Sequence, residues 1–458
     1  MQMRHIVGGL LNVEPQEKLK VFLLALAFFF VIIGYTVASD LKDAIFLNTV
    51  GRDWIPMAKI SSMLVLVPAI FLYSIIVDRV RRYQLLTIYV IFYGLMSLVI
   101  AYFIGHETIG IVNTVTSPYR LFGWISYYFF EGYSPFVVGV FWAFANSVNS
   151  PDSAKRNYGL MVSGSKLGGI LSAGGSWALF SWCAQKNSFA YDVFAHQIVL
   201  VVSALAILVV PFVIYALIKK VPAQYLHGYE ASYQVEKKRE DAHKAKTGIF
   251  EGFIMLFRYP YVMGIFCMVY FYEIIATVLS YLKLGVAEKY INMSAKSAFL
   301  FKVALIAHVV GLFIAFIGTR ALLAALGTRI CLLLIPLLSG TLLFYAMVNG
   351  DAQAILFAVI ALKAVNYAFS HPVRESLYIP TVKDIKFKSK SWIDAFGSKF
   401  AKSSGSTANM VMSWAGPDLF LAVHSFFFAF IVALWFLTAF LLGRRFETAV
   451  NKNEVIGA

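Results

Sequence analysis

The chain has 458 residues, of which 60% are hydrophobic and 14% charged, and Lys and Arg outnumber Asp and Glu by 39 to 24. A soluble domain carries about 25% charged residues, and with long apolar runs recurring along the chain this reads as a polytopic membrane protein, not a globular enzyme with an anchor. Cys183, Cys267 and Cys331 are scattered, with neither metal-ligand spacing nor an even disulfide framework, and read as ordinary buried residues.

In chain order, the N-terminal stretch MQMRHIVGGLLNVEPQEKLK is polar and amphipathic and lacks the apolar core and cleavage site of a signal peptide. Apolar windows then predict spans over 19–48, 54–77, 84–104, 121–148, 157–181, 196–218, 261–290, 297–318, 329–348, 351–371, 394–415 and 420–443. The fold class is therefore an all-α membrane protein with about twelve transmembrane helices. The long hydrophilic break at 219–260 divides them six and six, giving an N-terminal bundle (1–218), a linker (219–260) and a C-terminal bundle (261–458). The segments DRVRR (78–82), DSAKR (152–156), TRALLAALGTR (319–329) and VRESLYIPTVKDIKFKSK (373–390) read as loops on one side, together with the linker and both termini. That side holds about 26 Lys/Arg against about 7 opposite, which places it in the cytoplasm. The net charge of +15 follows from this topology and needs no nucleic-acid partner.

The halves repeat. SDLKDAIF closes the first helix and SYLKLGVA the seventh, with Lys42 and Lys283 in equivalent places; GSKLGGILSAGGS opens the fifth and GSKFAKSSGS falls in the eleventh. A parallel six-plus-six repeat resembles the plan of the major facilitator superfamily, with a substrate site near the midplane between the halves. VDRVRRY is similar to that superfamily's loop after helix two, although its leading glycine is missing.

Ionisable residues inside spans are costly and usually face a wet cavity or one another. The candidates are Asp40, Lys42, Asp43, Glu131, Lys166, Glu273, Lys283, Arg374, Lys399 and Lys402. Lys166 is read either as a cavity lysine or as one that snorkels from a glycine-rich packing helix. Glu131 and Glu273 are read as partners of cavity lysines or as substrate or proton sites. Asp40 and Asp43 are expected at a solvated helix end, with Lys42 facing inward. His106, His196 and His308 suit loop or core roles. FGSKFAKSSG approaches a phosphate-binding P-loop, but Ala401 stands where glycine is required and no strand precedes it. No HExxH, CxxC or paired-carboxylate spacing suggests metal or hydrolytic chemistry; no catalytic residue, metal or cofactor is expected.

Four segments, SDLKDAIF, EGYSPFVVGVFWAFANSVNSPDSAKRNYGLM, FYEIIATVLSYLK and RESLYIPTVKDIKFKSKSWIDAFGSKFAKSSGS, carry a further likeness. Through them, over about residues 19–410, the chain resembles the nucleotide transporters of plastids and obligate intracellular bacteria, the ATP/ADP antiporter type. The resemblance implies nucleotide exchange or proton-coupled import, with Lys42, Glu131, Glu273 and a lysine of the eleventh helix, Lys402, as the important charges. Departures from the family pattern at Ser39, Tyr133, Lys166 and Ser404-Gly405 leave open the exact nucleotide, and even another anionic metabolite. Tyr35, Tyr127, Tyr128, Tyr133, Phe271 and Tyr272 are candidates to stack a base. The expected function is ATP/ADP exchange by a monomer in a bacterial inner membrane, with proton-coupled import of nucleotides or other anions as the alternative. A nucleotide and the lipid bilayer are the expected partners.

Overall fold

The computed structural model describes residues 17–457 apart from 78, 150, 223–224, 227–250, 318, 367–369, 383–384, 386–388 and 415–416. The polar N-terminal stretch and most of the linker lie outside the described residues. Helices follow one another in order: α1 (Lys18–Thr49), α2 (Ile55–Val77), α3 (Arg82–Ile104), α4 (Leu121–Glu131 and Gly139–Val148), α5 (Pro151–Gln185) and α6 (Phe189–Lys220). A short helix, Glu251–Arg258, precedes α7 (Pro260–Glu288), α8 (Met293–Ile317), α9 (Thr319–Asn349), α10 (Ala352–Val365, with His371–Ser376 beyond it), α11 (Lys390–Trp392 and Ser398–Trp414) and α12 (Pro417–Asn451). Among the described residues the only β pairing is an isolated bridge between Thr381 and Ile456. Among the described residues, seven helices are long and apolar enough to cross a membrane by length and composition. In hydrocarbon, helices satisfy every backbone group internally, which is why such runs take no other form.

Several ends differ from the hydropathy windows. DSAKR is the opening of α5, not a loop, and TRALLAALGTR is helical from Thr319, interrupted only where Gly327 takes φ 74°. A basic segment at the end of a span can continue the helix into water, so charge marks the membrane boundary and not the helix boundary. Gly51, with φ 107°, follows α1, and Asp351 caps α10 by accepting from the Ala354 amide at 2.6 Å.

The chain divides into two compact units, one of Met1–Gly51, Val65–Lys246 and Tyr290–Leu305, the other of Arg52–Leu64, Thr247–Lys289 and Ile306–Ala458. In the first, α1 is the central rod, packed by α4, α5 and α6. Phe28 stacks on Phe141 with centroids 4.5 Å apart. In the second, α7 is the central rod, packed by α9, α10, α11 and α12. Each unit includes the opening turns of a helix from the other half of the sequence. The start of α8 is held in the first unit by buried polar groups: Ser294 N donates to Asp192 Oδ1 at 3.0 Å, and Asn292 Nδ2 donates to the Ala184 carbonyl at 3.0 Å. His196 Nδ1 donates to the Asp192 carbonyl (2.7 Å), which leaves Nε2 to accept from Ser297 Oγ (2.9 Å). In the second unit Arg52, just before α2, lies over the Tyr281 ring at 4.4 Å and 3.7 Å from Glu288 Oε2.

Candidate functional site

In the first unit the structure joins Lys42 of α1 to Glu131 of α4: Nζ lies 2.9 Å from Oε2, with the side chains 13% and 11% exposed. Lys42 Nζ is also 4.0 Å from Asp43 Oδ1 and 5.4 Å from the Tyr127 ring centroid. Attraction grows as water is excluded, so a pair this enclosed couples two helices more strongly than a surface pair. Around it Asp43 Oδ1, Ser126 Oγ and Tyr127 OH are buried without a hydrogen-bond partner among the described residues.

Asp40 and Asp43 do not form a solvated helix end. They are 4% and 5% exposed, because α1 runs on to Thr49 with neighbours packed along it. Tyr133 is not placed to stack a base. It is 2% exposed, and its hydroxyl donates to the Val31 carbonyl at 2.9 Å, pinning α4 to α1. A π turn over Ser134–Val138 follows directly. Such turns shift the side-chain register and are frequent at functional sites.

In the second unit Ser398 Oγ donates to Glu273 Oε1 at 3.3 Å, tying α11 to α7. Arg374 lies 5.7 Å from the Tyr272 ring and its Nη2 donates to Asn366 Oδ1 at 3.1 Å, while its Nε has no partner among the described residues. Lys399 and Lys402 are half-buried on α11, and Lys283 is 3% exposed near the end of α7. A second π turn, Ile393–Gly397, ends on the glycine of the Gly-Ser-Lys of α11.

Lys166 is half-buried on α5, on a helix pressed against α1. A β-carbon on Gly164 would lie 2.7 Å from the Ala25 carbonyl oxygen, and one on Gly168 would be closer still to that of Phe29. Gly164 and Gly168 of GSKLGG are thus required by close helix approach. Gly405 repeats the device on α11, where a β-carbon would stand 3.0 Å from Thr277 Cβ and 3.1 Å from the Ile274 carbonyl oxygen. His196 is a satisfied core histidine, and His106 accepts from Thr108 in a loop. The structure therefore brings together Lys42 with Glu131, and Glu273 with Ser398. It places Arg374 on Tyr272, a residue of the same helix as Glu273.

Sequence reasoning passed over Ser398, Asn366 and the buried face formed by Ser403, Ser406 and Asn409. Their spacing of three residues along α11 is the signal that marks them as one face.

Residues 2–446 match the family model described as TLC ATP/ADP transporter. The chain is 24% identical over 498 residues to ADP,ATP carrier protein 1 of Chlamydia muridarum, across 96% of this chain and 91% of that protein. Against ADP,ATP carrier protein 1 of Rickettsia typhi the identity is 21% over 497 residues, across 96% of each. Among solved structures the fold is similar to a D-xylose-proton symporter, with TM-score 0.60, 12% identity and coverage of 94% of this chain and 97% of that one. It is also similar to a bacterial homologue of the human lysosomal transporter Spinster, with TM-score 0.57, 13% identity and coverage of 95% and 99%.

Proposed function

The chain belongs to the TLC ATP/ADP transporter family, and on that premise we propose that it carries nucleotides through the membrane by alternating access, exchanging ATP for ADP. The observation that carries the reading is the enclosed Lys42–Glu131 pair, 2.9 Å long within the first unit. A nucleoside polyphosphate brings several negative charges that must lose water. An ammonium already partly desolvated offers a charge-assisted bond in exchange. When a phosphate oxygen takes Lys42, Glu131 is released, so the lysine keeps an anionic partner in both states. Arg374, Lys402, Lys399 and Lys283 are the further cations assigned to the cargo, while Lys166 is assigned to the helix packed on α1. Glu273, held by Ser398 Oγ at 3.3 Å, is the carboxylate assigned to hold a cation of the second unit between cargoes.

Uptake of labelled ATP, ADP, GTP and NAD into proteoliposomes tests this directly. Exchange requires uptake of ATP or ADP that depends on nucleotide loaded inside. Uptake into empty vesicles driven by an imposed proton gradient would establish the import reading instead. No uptake of any nucleotide under either condition would overturn the function proposed.

A further inference from the structure

On α11 the hydroxyls fall into two groups. Ser404 Oγ donates to the Phe400 carbonyl at 3.1 Å and Thr407 Oγ1 to the Ser403 carbonyl at 3.1 Å, the back-bond that serine and threonine ordinarily make in helices. Ser403 Oγ, Ser406 Oγ and Asn409 Oδ1 are buried and have no hydrogen-bond partner among the described residues. Ser406 is 0% and Asn409 1% exposed, and Ser403 is 8% exposed. The same helix offers every serine the carbonyl four residues back, and these two do not take it. Buried polar groups are nearly always paired, so three on one helix need an explanation.

Their position supplies it. At about 100° per residue, Asn409, Lys402, Ser406, Lys399 and Ser403 span an arc of about 120° on α11. The arc begins beside the edge of Ser398 and Gly405 that meets α7. Along the axis Ser406 lies about 6 Å and Asn409 about 10 Å beyond Lys402. Two lysines with the Ser403 hydroxyl beside them at one end, and the Ser406 hydroxyl with an amide carbonyl at the other, match a molecule with a phosphate chain at one end and hydroxyl donors beyond it.

We propose that Ser403, Ser406 and Asn409 form a subsite for the ribose hydroxyls of the cargo, with Lys402 and Lys399 on its phosphates. This rests on the nucleotide reading above and adds a source of selectivity to it. The side chains are covered in this conformation, so the subsite is closed when empty and opens as α11 repacks around cargo. Asn409 Oδ1 accepts a hydroxyl proton, and the serines donate or accept as the sugar requires.

The test compares uptake of ATP, 2′-deoxy-ATP and 2′,3′-dideoxy-ATP by the wild type, Ser406→Ala, Asn409→Leu and Ser403→Ala, with the thermal midpoint of each empty protein. The wild type should favour ATP over the dideoxy form. Ser406→Ala and Asn409→Leu should raise the half-saturating ATP concentration about three- to tenfold while leaving that for the dideoxy form unchanged. Because the variants remove unpaired atoms, the empty proteins should melt at or above the wild-type temperature. Ser403→Ala, the smallest change on the arc, keeps the test alive if Asn409→Leu fails to fold. Wild-type selectivity in every folded variant would overturn the subsite while leaving the nucleotide reading intact. Absence of uptake by the wild type itself would overturn the reading on which it rests.

Discussion

Helix α5 carries Gly-Ser-Lys in the first unit and α11 carries it in the second, yet the two helices use their polar groups in opposite ways. On α5, Ser165 Oγ back-bonds to the Val162 carbonyl at 2.7 Å and Ser172 Oγ donates across to the Ile33 carbonyl at 3.2 Å, while the glycines press onto the backbone of α1. On α11 a π turn runs into the motif at Gly397, Ser398 reaches Glu273, and three polar atoms of the following turns have no partner among the described residues. The lesson is that one duplicated motif has two physical uses. In the first unit it closes a helix contact, and in the second it leads into an arc of buried polar atoms without partners among the described residues. In the first unit the charged chemistry is displaced to α1 and α4, at Lys42 and Glu131.

The largest expected effect is steric. Gly168→Val would set a branched side chain against the Phe29 carbonyl, a backbone group that cannot rotate away. We expect a loss of about 3 kcal/mol in stability, read as a sharp fall in folded yield and melting temperature. Normal yield would remove the packing role from α5.

Next comes the contrast between lysines. Lys402→Gln should weaken nucleotide affinity about ten- to a hundredfold, or about 1.5–3 kcal/mol, measured by competition in vesicles. Lys166→Met should change it far less, because its helix is locked to α1. Equal losses at both positions would erase the distinction between the two helices and make Lys166 a full member of the site.

A smaller effect sharpens the packing half of the comparison. Gly405→Ala meets Thr277 Cβ at 3.0 Å and needs only a slight retreat by α7. It should cost about 1 kcal/mol, visible as a modest shift in melting temperature. A cost as large as that of Gly168→Val would show α11 to be as tightly seated as α5. The smallest effect belongs to Ser172→Ala, which removes one interhelical hydrogen bond worth about 0.6 kcal/mol and should leave transport kinetics untouched.

Much of this was legible in the residues. Hydropathy located the spans because apolar length is a local property, and the charges at Lys42, Glu131 and Glu273 stood out because a bilayer makes any such residue conspicuous. The repeated Gly-Ser-Lys was also visible, but its two uses were not. They depend on which backbone lies opposite Gly168 and which side chain opposite Ser398. Asp40 and Asp43 were read as solvated for the same reason, since burial comes from neighbours distant in sequence. The π turn after Glu131 is marked in the residues only by Pro135, which interrupts a helix without specifying the turn that results. Tyr133 was misread because its hydroxyl finds the Val31 carbonyl only in three dimensions.

The exchanged helix starts bear on how the chain is made. His196 and its partner Ser297 are separated by 101 positions, so the ribosome delivers the second about 5–20 s after the first. Until then the Asp192 carboxylate lacks the Ser294 amide and the Ala184 carbonyl lacks Asn292. In the second unit Arg52 is synthesised early and reaches Tyr281 and Glu288 only after most of the chain has been inserted. The two halves are therefore not independent products of translation. The first half waits in the membrane with unmet polar groups until the eighth helix begins to emerge.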